Sequence, residues 1–200
     1  MQFLCMGMGD YGIVSPDIGY GSGDCDVFLE KLMPNEFVDS IHHIDIAELK
    51  QRNIRGVITD LDNTLVEWHR PHATPEVEAW FLRLREEGIQ VTVVSNNNEE
   101  RVYRFCEPLG VKFIPAAKKP TGQAFIRAVQ EMQLQIEETV VVGDQLFTDI
   151  LGGNLLGFHT ILVVPVANTD GFFTRFNRQL ERVTLYWMRR KGMISWKTKS

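Results

Sequence analysis

The chain has 200 residues, 44% of them hydrophobic, and a formal net charge of −5 at pH 7, which suffices for one core and one folded domain. It contains no uninterrupted apolar run near the roughly 20 residues that span a bilayer and no secretory signal, so we expect a cytoplasmic protein. Its acidic body is a poor fit to nucleic acid, and its widely spaced Cys5, Cys25 and Cys106 predict neither a disulfide framework nor a zinc site.

The first 26 residues differ in character from the rest. Residues 1–26 carry six glycines and no clear apolar periodicity, so we expect them to be disordered or to be a non-native extension. Under the second hypothesis, translation starts at Val27. We expect a folded domain over residues 27–171.

Strand-like and helix-like segments alternate from about residue 36 to residue 166. Helices are predicted near 36–49, 75–87, 98–109, 121–134 and 146–156, and strands near 56–60, 90–95, 111–114, 139–142 and 160–164. Short strands that alternate with helices predict an α/β fold with a doubly wound parallel sheet flanked by helices.

Two carboxylates follow the first predicted strand. The apolar run 56–59 stops at Asp60, and Asp62 follows two residues later. Ligands of open α/β sheets bind at the carboxyl ends of strands. Two anions this close need a positive partner, and a hard cation such as Mg²⁺ is the obvious candidate, which indicates phosphate chemistry. The alternative is a plain helix cap, where Asp and Asn are also favoured.

Two further polar clusters follow later in the chain. Ser95 and Asn96 end a predicted strand, where a hydroxyl and backbone N–H groups could bind phosphate oxygens, although both residues also form ordinary turns. Lys118 and Lys119 precede Pro120 at the head of a predicted helix. A lysine there could neutralise phosphate charge, or the pair could be ordinary solvated surface.

The last cluster repeats the pattern of the first. The predicted strand 139–142 is followed by Gly143 and Asp144, and a second carboxylate, Asp149, comes five residues later. Asp149 would lie about one turn inside the next helix, within reach of a shared cation. The order of the four clusters fits a single mechanism.

Together the four clusters resemble the motifs of the haloacid dehalogenase-like (HAD) superfamily of phosphatases: Asp-x-Asp-x-Thr, Ser, Lys-Pro and Gly-Asp-x-x-x-x-Asp. The resemblance covers roughly residues 54–166. Within the superfamily the chain is most similar to the subfamily IIIA phosphatases, specifically the bacterial branch related to mitochondrial phosphatidylglycerophosphate phosphatase. This resemblance implies a Rossmann-like sheet and hydrolysis of a phosphomonoester through an aspartyl-phosphate.

The resemblance also implies roles for individual residues. Asp60 would be the nucleophile, and Asp62 would be the general acid and then the general base. Mg²⁺ would be held by Asp60, Asp144, Asp149 and the backbone carbonyl of Asp62. Phosphate oxygens would be bound by Thr64, Ser95, Asn96 and Lys119, with Lys118 as the second choice for the lysine.

The spacing between the motifs predicts an open site. The intervals 65–94 and 96–117 each hold one predicted helix and one predicted strand. Neither has room for the cap domain that closes over the site in many HAD enzymes. The loop 67–72 would be the only local lid, with Trp68, His69, Arg70 and His72 as candidates for leaving-group selection, or an ordinary polar turn.

Residues 172–200 combine positive charge with an aromatic stripe. From residue 174 on, eight lysines and arginines stand against one glutamate. Apolar residues recur there at three- and four-residue steps, which predicts a basic amphipathic helix. Such a helix could lie peripherally on the anionic inner face of a membrane or dock on the domain's own core.

Two classes of function follow from these patterns. The favoured one is a Mg²⁺-dependent phosphatase of phosphatidylglycerophosphate, with a soluble phosphomonoester as the other substrate class. The alternative is a non-catalytic module that binds a phosphorylated ligand or a partner. The complete set of acid, base, lysine and metal ligands favours the enzyme.

Overall fold

The computed structural model describes residues 24–167, 183–186, 188–190 and 192. The strands are β1 (Glu36–Val38), β2 (Gly56–Thr59), β3 (Gln90–Val94), β4 (Lys112–Ile114), β5 (Thr139–Gly143) and β6 (His159–Val163). The α-helices are α1 (Asp24–Lys31), α2 (Ile46–Gln51), α3 (Pro75–Glu86), α4 (Glu99–Cys106), α5 (Gln123–Met132) and α6 (Leu151–Leu156). All pairings are parallel and the strand order is β1-β6-β5-β2-β3-β4, so the predicted doubly wound sheet is confirmed.

The central strands are buried on both faces because helices cover the sheet from both sides. Every residue of β2 and β5 is buried. Successive side chains of a strand point to opposite faces. Accordingly, Val57 lies in a cluster with Trp80 of α3, whereas Ile58 lies in a second cluster with Phe125 of α5. Packing on both faces holds the central strands in place, and it therefore also holds the edge of the sheet at which these strands end.

The prediction of a helix over 36–49 is wrong. That segment forms β1, a 3₁₀ turn at Ile41–His43 and the short helix α2. β1 pairs with β6, with Glu36 opposite Ile161, which is a contact that local periodicity does not encode. Helix α2 starts only at Ile46. The residue before it, Asp45, caps the helix, because its carboxylate accepts hydrogen bonds from two backbone N–H groups of the first turn.

The other predicted elements are confirmed, with two local differences. The helix predicted over 98–109 ends as a 3₁₀ turn at Glu107–Leu109. The helix predicted over 146–156 begins with a π-helical turn at Leu146–Ile150 before α6. Such turns are frequent at functional sites, and this one carries Asp149.

The two ends of the chain are described only in part. Helix α1 (Asp24–Lys31) spans the boundary predicted at residue 26, and residues 1–23 of the predicted disordered or non-native stretch lie outside the described residues. Most of the amphipathic helix predicted over 172–200 also lies outside them. Residues 183–186 and 188–190 are helical.

One side chain of the C-terminal segment reaches the core. Met188 is fully buried in a cluster with Leu32, Leu146, Ile150 and Leu162. Two of these partners, Leu146 and Ile150, belong to the π-helical turn. At this residue the contact is the one expected for docking on the domain. Within the described part of the chain, no helix is long and apolar enough to cross a membrane.

Candidate active site

Three adjacent strands deliver the predicted polar residues to one edge of the sheet. Thr59, the last residue of β2, is level with Val93 of β3 and Val142 of β5. The residues that follow these strands therefore emerge side by side. The backbone N–H of Asp60 extends this pairing by donating to the carbonyl of Val142 at 2.9 Å.

Lys119 lies between two of the predicted carboxylates. Its Nζ is 2.6 Å from Oδ1 of Asp60 and 2.7 Å from Oδ1 of Asp149, and all three side chains are buried. Burial disfavours the ammonium, but the charges of Asp149 and Asp60 outweigh it, so the pKa of Lys119 is raised. The lysine therefore remains charged across the neutral pH range.

The structure distinguishes the two candidate lysines. Lys118 is exposed, with a left-handed backbone, φ 54°. The backbone N–H of Lys119 donates to Oδ1 of Asn96 at 2.7 Å, and Nδ2 of Asn96 donates to the Lys119 carbonyl at 3.3 Å. Asn96 thus fixes the loop that turns Lys119 inward, and direct binding of phosphate by Asn96 stays a prediction.

Asp60, Asp144 and Asp149 form a compact group of buried carboxylates. Each offers one oxygen such that the three oxygens lie within 4.8 Å of one another. Oδ2 of Asp149 accepts a hydrogen bond from the backbone N–H of Gln145, and burial raises the pKa of Asp149 to about 6 against the pull of Lys119. Three carboxylate oxygens brought this close together are the kind of donor set that a hard divalent cation takes.

A glycine allows Asp149 to reach this group. A Cβ atom at residue 143 would lie 2.3 Å from both Cγ and Oδ2 of Asp149. No side chain fits in that space, because ordinary contacts begin near 3.4 Å. The Gly143-Asp144 pair of the sequence therefore has two structural functions: it presents one carboxylate and leaves room for the other.

Asp62 is hydrogen-bonded by two residues of the segment that follows β3. Its Oδ1 accepts hydrogen bonds from Nη2 of Arg101 at 2.9 Å and from Nε at 3.2 Å, and its Oδ2 accepts one from Nδ2 of Asn97 at 2.9 Å. Burial, followed by the charge of Asp60, raises the pKa of Asp62. The two donors oppose that rise and do not cancel it.

The predicted hydroxyl ligands are buried at the same edge. Thr64 donates from Oγ1 to Oδ1 of Asp144 at 2.9 Å, and it thereby positions that carboxylate. Ser95 Oγ accepts a hydrogen bond from the backbone N–H of Asn97 at 3.1 Å. Both side chains are at most 2% exposed. Their role in binding phosphate stays a prediction.

The loop 67–72 lies at the surface. Trp68 is 46% exposed and contacts the His69 ring edge to face, and Arg70 pairs with Glu67. These contacts are local to the loop, so they agree equally with a lid over the site and with an ordinary polar turn.

Several known proteins are similar in sequence to this chain. Residues 67–157 match the family model described as haloacid dehalogenase-like hydrolase. The chain is 62% identical over 164 residues to the protein named "Probable phosphatase YqeG" from Bacillus subtilis, which covers 82% of this chain and 95% of that protein. The chain belongs to the haloacid dehalogenase-like hydrolases. It is a HAD-type phosphatase, a hydrolase of phosphoric monoesters, as the sequence motifs implied.

Two more distant relatives differ in their named substrates. "Phosphatidylglycerophosphate phosphatase 1, chloroplastic/mitochondrial" from Arabidopsis thaliana is 28% identical over 173 residues, covering 81% of this chain and 49% of that protein. "Glyceraldehyde 3-phosphate phosphatase" from Pyrococcus furiosus is 28% identical over 96 residues, covering 44% of this chain and 40% of that protein.

The motifs of this HAD phosphatase did not indicate Asn97 and Arg101. Asn97 directly follows Ser95 and Asn96, so its closeness to the site could have been predicted from the sequence. Arg101 was not, because it reaches Asp62 only through the placement of α4 after β3. Its one local signal is its position in the first turn of a helix capped by Asn98, at the edge where the strands end.

Proposed function

We propose that the protein is a Mg²⁺-dependent phosphatase that hydrolyses phosphatidylglycerophosphate through an aspartyl-phosphate on Asp60. The observation that carries the proposal is the buried group of Asp60, Asp144 and Asp149 with Lys119 inserted into it. Positive charge on both sides of a nucleophilic carboxylate is what attack on a phosphate dianion requires.

Asp60 suits the role of nucleophile. A carboxylate side chain is ordinarily ionised at neutral pH, so it can attack phosphorus without a general base. Its contact with Lys119 orients it, and the ammonium is placed to attract the phosphoryl group that Asp60 attacks. Removing the carboxylate while keeping its shape, as in Asp60→Asn, should therefore abolish turnover with little change in fold.

The carboxylate group also fits Mg²⁺. Asp60, Asp144, Asp149 and the backbone carbonyl of Asp62 would hold the ion, and Thr64 orients Asp144 among these ligands. When bound, the cation would offset phosphate charge in the transition state. Three buried carboxylates whose oxygens lie within 4.8 Å of one another offer a divalent cation several oxygen ligands at once.

Asp62 suits general acid–base catalysis of the leaving group. Its carboxyl is close enough to Asp60 for the charge of Asp60 to act on it, and it is not bound to Lys119 in the described contacts. Its raised pKa favours a carboxyl that carries a proton for part of the time. Asp62 would protonate the departing alkoxide and then take a proton from the water that attacks the aspartyl-phosphate.

A lipid substrate is consistent with the open edge of the sheet. The interval between Thr64 and Ser95 is occupied by α3 and β3, and that between Ser95 and Lys119 by α4 and β4. The phosphate site is then reachable by a large or surface-bound molecule. The basic residues from 174 onward would favour peripheral contact with an anionic membrane. The relative named as a phosphatidylglycerophosphate phosphatase supports the same substrate.

The proposal is tested by phosphate release from phosphatidylglycerophosphate vesicles and from a panel of soluble phosphomonoesters, including glyceraldehyde 3-phosphate. Each substrate is assayed with Mg²⁺ and with a chelator, and Asp60→Asn is the control. Strong preference for the lipid, abolished by the substitution and by chelation, is the expected result. Preference for a soluble ester would keep the phosphatase and discard the lipid.

A further inference from the structure

Arg101 is a largely buried cation beside the proposed general acid. Its side chain is 14% exposed, and Asp62 is its salt-bridge partner among the described residues. Its guanidinium also lies over the ring of Phe105, with Cζ 5.8 Å from the ring centroid. Its third nitrogen, Nη1, is buried and has no hydrogen-bond partner in the described part of the chain. Two of the three guanidinium nitrogens, Nε and Nη2, therefore donate to Asp62, and Nη1 has donors to spare.

The position of Asp62 indicates which part of a substrate Arg101 can reach. A general acid must contact the oxygen of the leaving group, whereas Lys119 contacts the proposed nucleophile Asp60. A side chain in direct contact with Asp62 therefore borders the leaving group. Two side chains meet this condition, Asn97 and Arg101, and Arg101 is the charged one, with two hydrogen bonds to one carboxylate oxygen.

We infer that Arg101 is a specificity residue that binds a second anionic group, a phosphodiester, on the leaving group of the substrate. The inference rests on the proposed function and names the feature of the substrate that the site recognises. Guanidinium groups bind phosphate oxygens through paired, charge-assisted hydrogen bonds. A phosphodiester close to the scissile phosphomonoester would meet this fork.

The pairing of Arg101 with Asp62 favours such a partner once Asp62 acts on the leaving group. When Asp62 turns to the leaving-group oxygen, it gives up hydrogen bonds to Arg101. A buried guanidinium left without a counterion is strongly unfavourable. An anion carried by the substrate replaces the lost partner, whereas a leaving group without charge does not. The same exchange couples recognition of the leaving group to the release of Asp62.

The matched substrates are glycerol 3-phosphate and glycerophosphoglycerophosphate, the deacylated head group of phosphatidylglycerophosphate. Both are soluble, and only the second has a phosphodiester on its leaving group. The variants are Arg101→Gln, Arg101→Lys and the control Arg104→Gln. Arg104 lies on the same helix, is largely exposed and pairs with Glu100 away from the site.

We expect Arg101→Gln to lower kcat/KM for the phosphodiester substrate by about 10- to 100-fold, mainly through KM, because a hydrogen-bonded ionic contact is lost. Glycerol 3-phosphate should lose much less, Arg101→Lys should keep part of the preference, and Arg104→Gln should change neither substrate. An equal loss of kcat on both substrates would overturn the inference, because it would mean that Arg101 only orients Asp62.

Binding separates this inference from the proposed function. Calorimetric titration of Asp60→Asn with glycerophosphoglycerophosphate should show weaker binding when Arg101→Gln is added, and titration with glycerol 3-phosphate should not. Equal affinities of Asp60→Asn and of the Asp60→Asn, Arg101→Gln double variant for glycerophosphoglycerophosphate would overturn the inference, even if turnover by the unaltered protein is normal. If the unaltered protein releases no phosphate from either substrate, the proposed function fails while the binding comparison still decides the role of Arg101.

Discussion

Replacing Gly143 by alanine should displace Asp149 from the carboxylate group. The added Cβ would stand 2.3 Å from Cγ of Asp149, and ordinary contact begins near 3.4 Å, so the carboxyl must move by about 1 Å. A movement of that size stretches the 2.7 Å contact with Lys119 and the 3.2 Å bond from the Gln145 N–H beyond hydrogen-bonding distance.

The expected loss has two parts. Overpacking a well-packed site costs about 1–3 kcal/mol. Loss of a charge-assisted hydrogen bond costs a similar amount, so the free energy of unfolding should fall by about 2–6 kcal/mol. For a chain of this size, that corresponds to a decrease in Tm of about 4–24 °C. Because Asp149 is a proposed ligand, Mg²⁺ affinity should also fall, by about 10- to 100-fold.

The assay is calorimetric titration with Mg²⁺, together with thermal unfolding at several Mg²⁺ concentrations. Gly153→Ala is the matched control, because its Cβ would stand 2.6 Å from Cγ2 of Thr160 in the core, away from the carboxylates. The control should lower Tm and keep Mg²⁺ affinity. Unchanged Mg²⁺ affinity in Gly143→Ala would refute the reasoning that Gly143 sets the position of a metal ligand.

Three further substitutions test one charge contact at the site, one charge contact at the other end of the sheet and one packing contact. Lys119→Met leaves Asp60 and Asp149 without their cation, so denaturant unfolding should show a loss of about 3–5 kcal/mol, part of which Mg²⁺ restores. Glu36→Gln should cost about 1 kcal/mol at pH 7, measured by denaturant unfolding. The hydrogen bond from His159 lowers the pKa of Glu36 below its ordinary 4.5. The stabilisation is therefore present above pH 4.5 and is lost as the pH falls through the lower folded-state pKa. Met188→Ala should lower stability by about 2–4 kcal/mol in thermal unfolding, because Met188 is fully buried.

Each of these has a contrary outcome. A Lys119→Met protein as stable as the original without Mg²⁺ would mean that the carboxylates need no compensation. A difference between Glu36→Gln and the original protein that persists well below pH 4 would exclude the depressed carboxyl as its source. Equal stability of Met188→Ala and of the control Tyr186→Ala, whose side chain is 57% exposed, would mean that the C-terminal segment does not dock in solution.

The sequence predicts best where strand ends and chemistry coincide. Asp60 and Asp144 each follow an apolar run that forms a fully buried strand, so their place at one edge of the sheet follows from local pattern and the rules of parallel sheets. Lys119 was predicted on other grounds, from the resemblance of Lys119-Pro120 to the Lys-Pro motif of the HAD phosphatases. The choice of Lys119 over Lys118 as the inward residue depends on the loop geometry that Asn96 imposes.

Long-range contacts account for what the sequence did not predict. β1 has three residues and owes its existence to pairing with β6, more than 120 residues later in the chain. Arg101 meets Asp62 across 39 residues, and both depend on how α4 leaves β3. Neither contact has a periodicity or a motif. Such residues become visible only when the packing of the elements is known.

Formation of an aspartyl-phosphate is the central claim, and Asp62→Asn with 4-nitrophenyl phosphate tests it most directly. Nitrophenolate leaves without being protonated, so the first step should proceed without the Asp62 carboxyl, whereas hydrolysis of the intermediate still needs it as a base. We predict about one equivalent of nitrophenolate released per protein in an initial burst, and a phosphorylated peptide whose modified residue is Asp60. Phosphate release without any covalent label, or a label on another residue, would contradict the account.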